Sequence, residues 1–228
     1  MLAVAVAYAL ISVPFGSTVS ERLQDVSFDI QIIEGNRSEL RKINQDFANA
    51  YEQDSAKVKY KEPLLFLIES SMNGQKGTYL INGDTAQWRV PRLGINSKIK
   101  IGDSPGKRQS LLDFGVISVS MSEHFLSGVF VKDDSGRAVF DLSYLRSTDS
   151  SRHRVWVDLV KKVIMKREWY GQNGLLMATF EYYDHKESNG IWFPSGVRVY
   201  NKDQKLAGIS KYANVKVNAG ISDDVFKL

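Results

Sequence analysis

The stretch 153–183, HRVWVDLVKKVIMKREWYGQNGLLMATFEYY, decides how the rest of the chain is read. Three runs rich in β-branched and aromatic residues, His153 to Leu159, Lys162 to Tyr170 and Leu175 to Tyr183, are separated only by short polar breaks, the second of them Gln172-Asn173-Gly174. Connections this short force neighbouring strands to run antiparallel, because a parallel crossover needs a dozen or more residues.

The same pattern extends in both directions. Toward the C-terminus, Ile191 to Tyr200 and Leu206 to Val217 follow the turns Ser188-Asn189-Gly190 and Asn201-Lys202-Asp203. Toward the N-terminus the runs are Ala56 to Tyr60, Leu64 to Met72, Thr78 to Asn82, Ala86 to Val90, Lys98 to Ile101 and Ala138 to Leu145, with turn signals such as Asn73-Gly74 and Asp134-Ser135-Gly136 between them. Val26, Phe28, Ile30 and Ile32 alternate as in a half-buried strand. One helix is expected, capped by Ser38 and running to about Tyr51, because Leu40, Ile43, Phe47 and Tyr51 recur at helical spacing. Short helices are expected to interrupt the sheet between Ser110 and Val129, at 111–114 and 121–126. So many strands must curl or split, and the helix must cover an apolar face; a curved sheet with a helical lid satisfies both demands. The fold class is mainly β within α+β.

Composition sets the outer limits. The 228 residues, 43% hydrophobic and 25% charged, suit one globular domain able to bury its own core. The chain has no cysteine, which removes disulfides, thiolate zinc, a cysteine nucleophile and a lipid-modified N-terminal cysteine. The three histidines, His124, His153 and His185, stand in separate segments, so no metal site is expected, and no cofactor. There is no nucleophile elbow and no phosphate-binding glycine loop, and Asp133-Asp134 and Asp223-Asp224 sit in turns where adjacent side chains diverge; an enzyme is not expected. A net charge of +4 tilts the surface toward anions, yet the aromatics are not interleaved with a basic stripe, so nucleic acid is not the expected partner.

Residues 1–20 contain no Asp, Glu, Lys or Arg, and Leu2 to Phe15 has the length of a secretory apolar core, too short to span a bilayer. Pro14 and the small residues Gly16, Ser17, Thr18 and Ser20 offer a cleavage zone, so 1–20 is taken as a signal peptide and 21–228 as the domain. No Lys or Arg precedes the apolar run, and the alternative is a buried N-terminal core segment.

The order of these features resembles the outer-membrane lipoprotein carrier (LolA-like) family, within the half-barrel superfamily that includes RseB-like regulators. The resemblance rests on the leader and helix, on Val58-Lys59-Tyr60-Lys61-Glu62-Pro63, on a hairpin from Gly77 to Val90 with Asn82-Gly83-Asp84 and Trp88, on Asp113-Phe114-Gly115 at the middle helical insertion, on Val155-Trp156-Val157-Asp158 through Tyr170, and on Tyr212 to Asn218 followed by Ile221, Asp223 and Phe226. It implies a single curved antiparallel sheet forming an unclosed β-barrel, lidded by the N-terminal helix and the short inserted helices around an apolar cavity. It also implies a soluble, monomeric periplasmic carrier of an acylated lipoprotein or other lipid cargo, loaded by an inner-membrane transporter and unloaded to an outer-membrane receptor. An envelope-stress sensor binding a membrane anti-sigma partner, and a carrier of another lipid, are the alternatives.

Candidate cavity residues are Leu65, Leu67, Tyr79, Trp88, Trp156, Ile164, Phe180 and Trp192, although strand alternation does not say which face is concave, and large strand aromatics are ordinarily packing residues. Candidate lid and latch residues are Leu40, Ile43, Phe47 and Glu62. Glu62 stands where the family's Lys-Arg-Pro element carries its arginine, reversing the charge, so a cationic partner among Arg37, Arg41 and Lys42 is one expectation and a solvated carboxylate the other.

Overall fold

The computed structural model describes residues 12–227. Its strands are β1 (Asp25–Gly35), β2 (Ser55–Lys61), β3 (Leu65–Met72), β4 (Gln75–Asn82), β5 (Thr85–Val90), β6 (Ile95–Lys100), β7 (Leu126–Asp134), β8 (Arg137–Tyr144), β9 (Arg152–Asp158), β10 (Val163–Tyr170), β11 (Leu176–Tyr183), β12 (Lys186–Ser188), β13 (Ile191–Phe193), β14 (Gly196–Asn201) and β15 (Leu206–Val217). Thirteen of them form one antiparallel sheet in the order β6-β5-β4-β3-β2-β1-β15-β14-β11-β10-β9-β8-β7, and β12 and β13 make a separate hairpin.

The sheet is two meanders joined in the middle. Sequential antiparallel pairing makes β1 to β6 one and β7 to β15 the other, with the helical connection 36–54 between β1 and β2, and β1 pairs with β15 from Val26↔Val217 to Gly35↔Gly208. The outer strands β6 and β7 are left unpaired with each other, so the sheet curls without closing into a barrel. Residues 101–125 must therefore travel from one open edge to the other, and they do so through the concave side. There the 3₁₀ segment Pro105–Phe114 and helix α3 (Val119–His124) bury Leu111, Leu112, Phe114, Met121 and Phe125. Phe114 packs edge-on against Phe28, Tyr60 and Phe66 at 5.9, 5.3 and 5.6 Å. On the second meander, Tyr182 donates to the Leu112 carbonyl at 2.8 Å and the Ile164 amide donates to the Gly115 carbonyl at 2.7 Å.

The expected fold is present, with local corrections. The helix expected from Ser38 to Tyr51 is two, α1 (Arg37–Arg41) and α2 (Gln45–Ala50). Asn44 breaks it: its backbone is extended and its side chain accepts from the Phe47 amide at 2.8 Å, capping α2, as Asn36 rather than Ser38 caps α1. The run Ile191 to Tyr200 divides at Pro194, which has no N–H to give a ladder. Helix is present around 111–114 as expected, but only 119–124 is helical in the second place, and Leu126 opens the edge strand β7, which the sequence reading omitted.

The segment just before the expected cleavage point is part of the packed body. Val19 is buried and pairs with Ile117, the Ser20 amide donates to the Ile117 carbonyl at 2.8 Å, and the Phe15 ring lies 6.0 Å from Phe140, over Gly128. Cutting after Ser20 would remove these contacts. A chain beginning at Glu21 is expected to be less stable than one beginning at Ser12 by about 2 kcal/mol or more, and Phe15→Ala in the longer chain should account for much of the loss. Urea unfolding of the three proteins checks this; equal midpoints would show that 12–20 is dispensable.

Candidate functional site

A cavity of 230 Å³ lies between the concave face and α2. Its floor comes from adjacent strands: Ile30 and Ile32 of β1, Ala56 of β2, Ile68 of β3, and Val197 and Val199 of β14. Alternation puts these inward, and because they are β-branched or small they do not reach the roof. The roof is Phe47 and Ala50 of α2, with Tyr51 just beyond it. Tyr51 reaches the floor only because the seam there is glycine: a Cβ at Gly208 would come 2.3 Å from its ring, and one at Gly35 3.4 Å. The Ser210 hydroxyl and the Tyr51 hydroxyl hydrogen-bond at 3.1 Å across this seam. On the other side of Phe47 lies a second recess of 210 Å³, lined by Asn44, Gln109, Arg167 and Trp169. Phe47 divides the two spaces, and its ring sits 6.3 Å from Trp169 and 5.8 Å from Phe180.

One ion pair stands among these apolar groups. Arg167 is 2% exposed, its guanidinium lies 3.8 Å from the centre of the Phe180 ring, and it binds the Asp113 carboxylate. The Asp113 side chain is 44% exposed, but the space it faces is the cavity itself, deep inside the fold. That setting raises its pKa above the ordinary value through desolvation, against the pull of the Arg167 charge. Tyr212 donates to the Asp113 carbonyl at 2.7 Å. Burial lifts the phenols of Tyr51, Tyr182 and Tyr212 well above their usual range, so all three remain hydrogen-bond donors at any physiological pH. Arg167 Nε, Trp169 Nε1 and Ser110 Oγ, around the second recess, have no hydrogen-bond partner among the described residues. The polar groups converge on a wall of the cavity, and no cluster of three or more His, Cys, Asp or Glu suited to a metal occurs among the described residues.

Of the eight cavity residues expected from sequence, Phe180 lines the cavity. Leu65 and Leu67 point to the opposite face, where they pack with Leu80 under Phe226. Ile164 is buried in the main core. Tyr79 and Trp88 pair at 5.0 Å on an open shelf near the β6 edge, beside Lys107. Trp156 is on the outer face, donating to Asp134 at 2.9 Å beneath Lys166, and Trp192 lies by Lys161 at the surface. Of the lid residues, Phe47 is the roof, whereas Leu40 and Ile43 are buried core residues that hold the lid's base.

Glu62 has neither expected environment. Arg37 pairs with Glu52, and Lys42 with Glu39 and Asp203. Glu62 instead accepts from the Tyr60 hydroxyl at 3.0 Å, from the Ser120 amide at 3.3 Å and from the Ser120 hydroxyl, so it holds the first turn of α3. An acid suits that place, since it answers the unsatisfied amides of a helix start.

Known proteins share this architecture at low sequence identity. A domain described as an outer membrane lipoprotein-sorting protein, from Vibrio parahaemolyticus, matches with a TM-score of 0.58 and 13% identity, over 93% of this chain and 92% of that one. A DUF1329 family protein from Desulfovibrio piger matches at 0.58 and 14%, over 90% of each chain. A LolA superfamily protein from Nitrosomonas europaea matches at 0.54 and 14%, over 90% of this chain and 89% of that one. A family model described as an uncharacterized protein matches residues 140–228. No curated protein matches in sequence. The chain has the LolA-type fold.

His153 lies behind the ion pair, fully buried, with Nε2 3.0 Å from the Tyr144 hydroxyl and Nδ1 without a partner among the described residues. Burial, and then the Arg167 charge, hold its pKa well below 6.5, so it is neutral when folded and takes up a proton on unfolding in acid. Since the unfolded chain binds the extra proton, stability should fall as pH drops below about 6.5, with His153 contributing up to about 1.4 kcal/mol per pH unit. His185, also depressed by burial, adds to the slope. Urea unfolding between pH 7 and pH 5 should be visibly less pH-dependent in His153→Gln; an unchanged slope would show that the group is not neutral in the fold.

Proposed function

We propose that the protein is an exported, periplasmic carrier that holds the acyl chains of a lipoprotein in the cavity under α2, taking them from an inner-membrane donor and passing them toward the outer membrane. The observation that carries this reading is the cavity itself: an apolar chamber roofed by one short helix on a fold shared with a lipoprotein-sorting domain. The physical need is clear, since each methylene brought into water costs about 0.8 kcal/mol and only a protein chamber can replace the bilayer during transit.

The closed geometry supports a loading step. At 230 Å³ the chamber is smaller than the ~300–1,000 Å³ of ordinary ligand sites. Cargo enlarges it by moving Phe47, which merges it with the adjoining recess. Because α2 has only six residues, it has little stability apart from its packing and can be displaced at modest cost. The fit is to chains; the Asp113–Arg167 pair sets the polar end of the chamber.

Mass spectrometry of lipid and lipopeptide co-purifying with the exported protein tests the reading. Diacylated or triacylated lipopeptide is the expected cargo. Val199→Gln, which sets an amide in the floor, should lower its recovery by about tenfold or more, while Trp88→Gln, on the open shelf near the β6 edge and outside the cavity lining, should leave it unchanged. Phospholipid alone would reassign the cargo, and an empty chamber under gentle extraction would refute the carrier reading.

A further inference from the structure

Strand pairing fixes which turns share the cavity's end of the sheet. Ile30 and Ala56, both in the cavity floor, are partners; Ala56 is opposite Ser70, and Ser70 opposite Gly77. A Cβ at Gly77 would lie 3.6 Å from Val90, whose own partner is Ile95. One row across the sheet thus runs from the cavity floor to the start of β6. The β5–β6 connection, a 3₁₀ turn at Pro91–Leu93 closed by Gly94 at φ 66°, projects beyond that row. The β3–β4 turn at Asn73-Gly74 projects on the same side.

This rim is apolar where a soluble rim should be polar. Leu93 is 58% exposed, Ile95 44% and Met72 41%. The hairpin that carries the first two has no acidic residue from Thr85 to Lys100, while Arg89, Arg92, Lys98 and Lys100 are all exposed and none is in an ion pair among the described residues. Acids towards this end of the sheet are engaged: Glu69 binds Lys59, and Asp54 accepts from the Gly74 amide at 3.4 Å. Exposed aliphatic groups at a tip, flanked by the unpaired cations Arg89 and Arg92, with Lys98 and Lys100 further along β6, are complementary to a surface that is apolar within and anionic outside.

We propose that the β5–β6 hairpin, with Met72 beside it, is a bilayer-contact rim: Leu93 and Ile95 enter the headgroup layer of an anionic membrane while Arg89 and Arg92 meet lipid phosphates. The rim lies at the same end of the sheet as the cavity, so a protein resting on it presents its chamber to the membrane. Two aliphatic side chains and two cations give weak, reversible attachment, as a carrier that must leave again requires. The contact surface stands on its own observations; its use in loading cargo rests on the carrier reading.

Vesicle flotation separates the two claims. The full protein is expected to float with vesicles of phosphatidylethanolamine and phosphatidylglycerol, less with phosphatidylcholine vesicles, and less again when salt is raised. The double variant L93S/I95S should lose on the order of tenfold in the bound fraction, and R89Q/R92Q should lose the preference for phosphatidylglycerol. Both variants should bind a fluorescent fatty-acyl probe in solution as the parent does. Undiminished flotation of L93S/I95S, or no flotation of the parent with either vesicle, would overturn the rim and leave the hairpin as a surface for an acidic protein. Flotation without any binding of the acyl probe would uphold the rim and refute the carrier.

Discussion

The pairing of the first long strand with the last holds the architecture together. With β1 and β15 zipped side by side at the centre, both edges of the sheet fall in the middle of the chain, at β6 and β7. The linker between those edges has no route along the sheet, and it crosses the concave side as residues 101–125. Its apolar residues then become the core of what would otherwise be an empty trough. Register irregularities in the same pair, between Ser27 and Asp29 and between Ile32 and Glu34, bend the strands where the sheet must curl. An interior partly filled by a linker is therefore a product of connectivity, and the cavity is the length of trough that the linker leaves uncovered.

The Asp113–Arg167 pair marks where filling stops. Up to Leu112 and from Phe114 onward the linker presents fully buried apolar side chains, whereas Asp113 turns its carboxylate to the open space. Removing an arginine and a carboxylate from water is costly, and a buried pair seldom repays that cost against an apolar substitute. Here the pair is enclosed by Phe180 below the guanidinium and by phenols around it, with Arg167 Nε unpartnered, an arrangement that spends stability to keep a polar wall in an apolar chamber. The same trade is absent at Glu62, where the acid is repaid by the amide and hydroxyl of Ser120.

Much of the fold was legible because the turns are written in residues that have a mechanical reason to turn. Asn73-Gly74, Ser135-Gly136 and Asn189-Gly190 all take positive φ, as their sequence implies. The site was less legible. Alternation states that Leu65 and Leu67 oppose Phe66 and Ile68, but β3 is apolar on both faces, because the C-terminal turn with Phe226 covers the outer one. No count of hydrophobic residues distinguishes a face covered by a small cap from one that encloses a chamber. Tryptophan on a strand carries no face signal for a related reason: of the three candidates, Trp156 and Trp192 are outside by lysines and Trp88 is on the open shelf, while Trp169, not a candidate, stands at the second recess. The floor residues Ile30, Ala56, Val197 and Val199 are small or β-branched and carry no individual signal; their meaning comes from five strands lying side by side. The break at Asn44 was readable in principle, since asparagine favours a cap over a helix interior, but helical spacing continues across it.

That break divides the lid into parts with different attachments. Helix α1 is fixed to the β14–β15 turn: the Asn36 amide donates to the Ala207 carbonyl, Asn201 donates to Glu39, and Lys42 bridges Glu39 and Asp203. Leu40 and Ile43 are sunk in the core. Helix α2 has no ion pair to the sheet among the described residues; it is held by the Phe47 ring, by Ala48 and by Tyr51 lying on the glycines of the β1–β15 seam. Displacing it exposes two aromatic rings and breaks one side-chain hydrogen bond to Ser210, whereas displacing α1 would break a charged network and uncover buried aliphatic residues. Residues 42–44 thus join a firmly attached α1 to an α2 that roofs the cavity with fewer ties, and the lid movement in the proposed loading step would turn there. Gly35 and Gly208 face each other where β1 and β15 end their pairing, and the missing side chains leave the room that the Tyr51 ring fills.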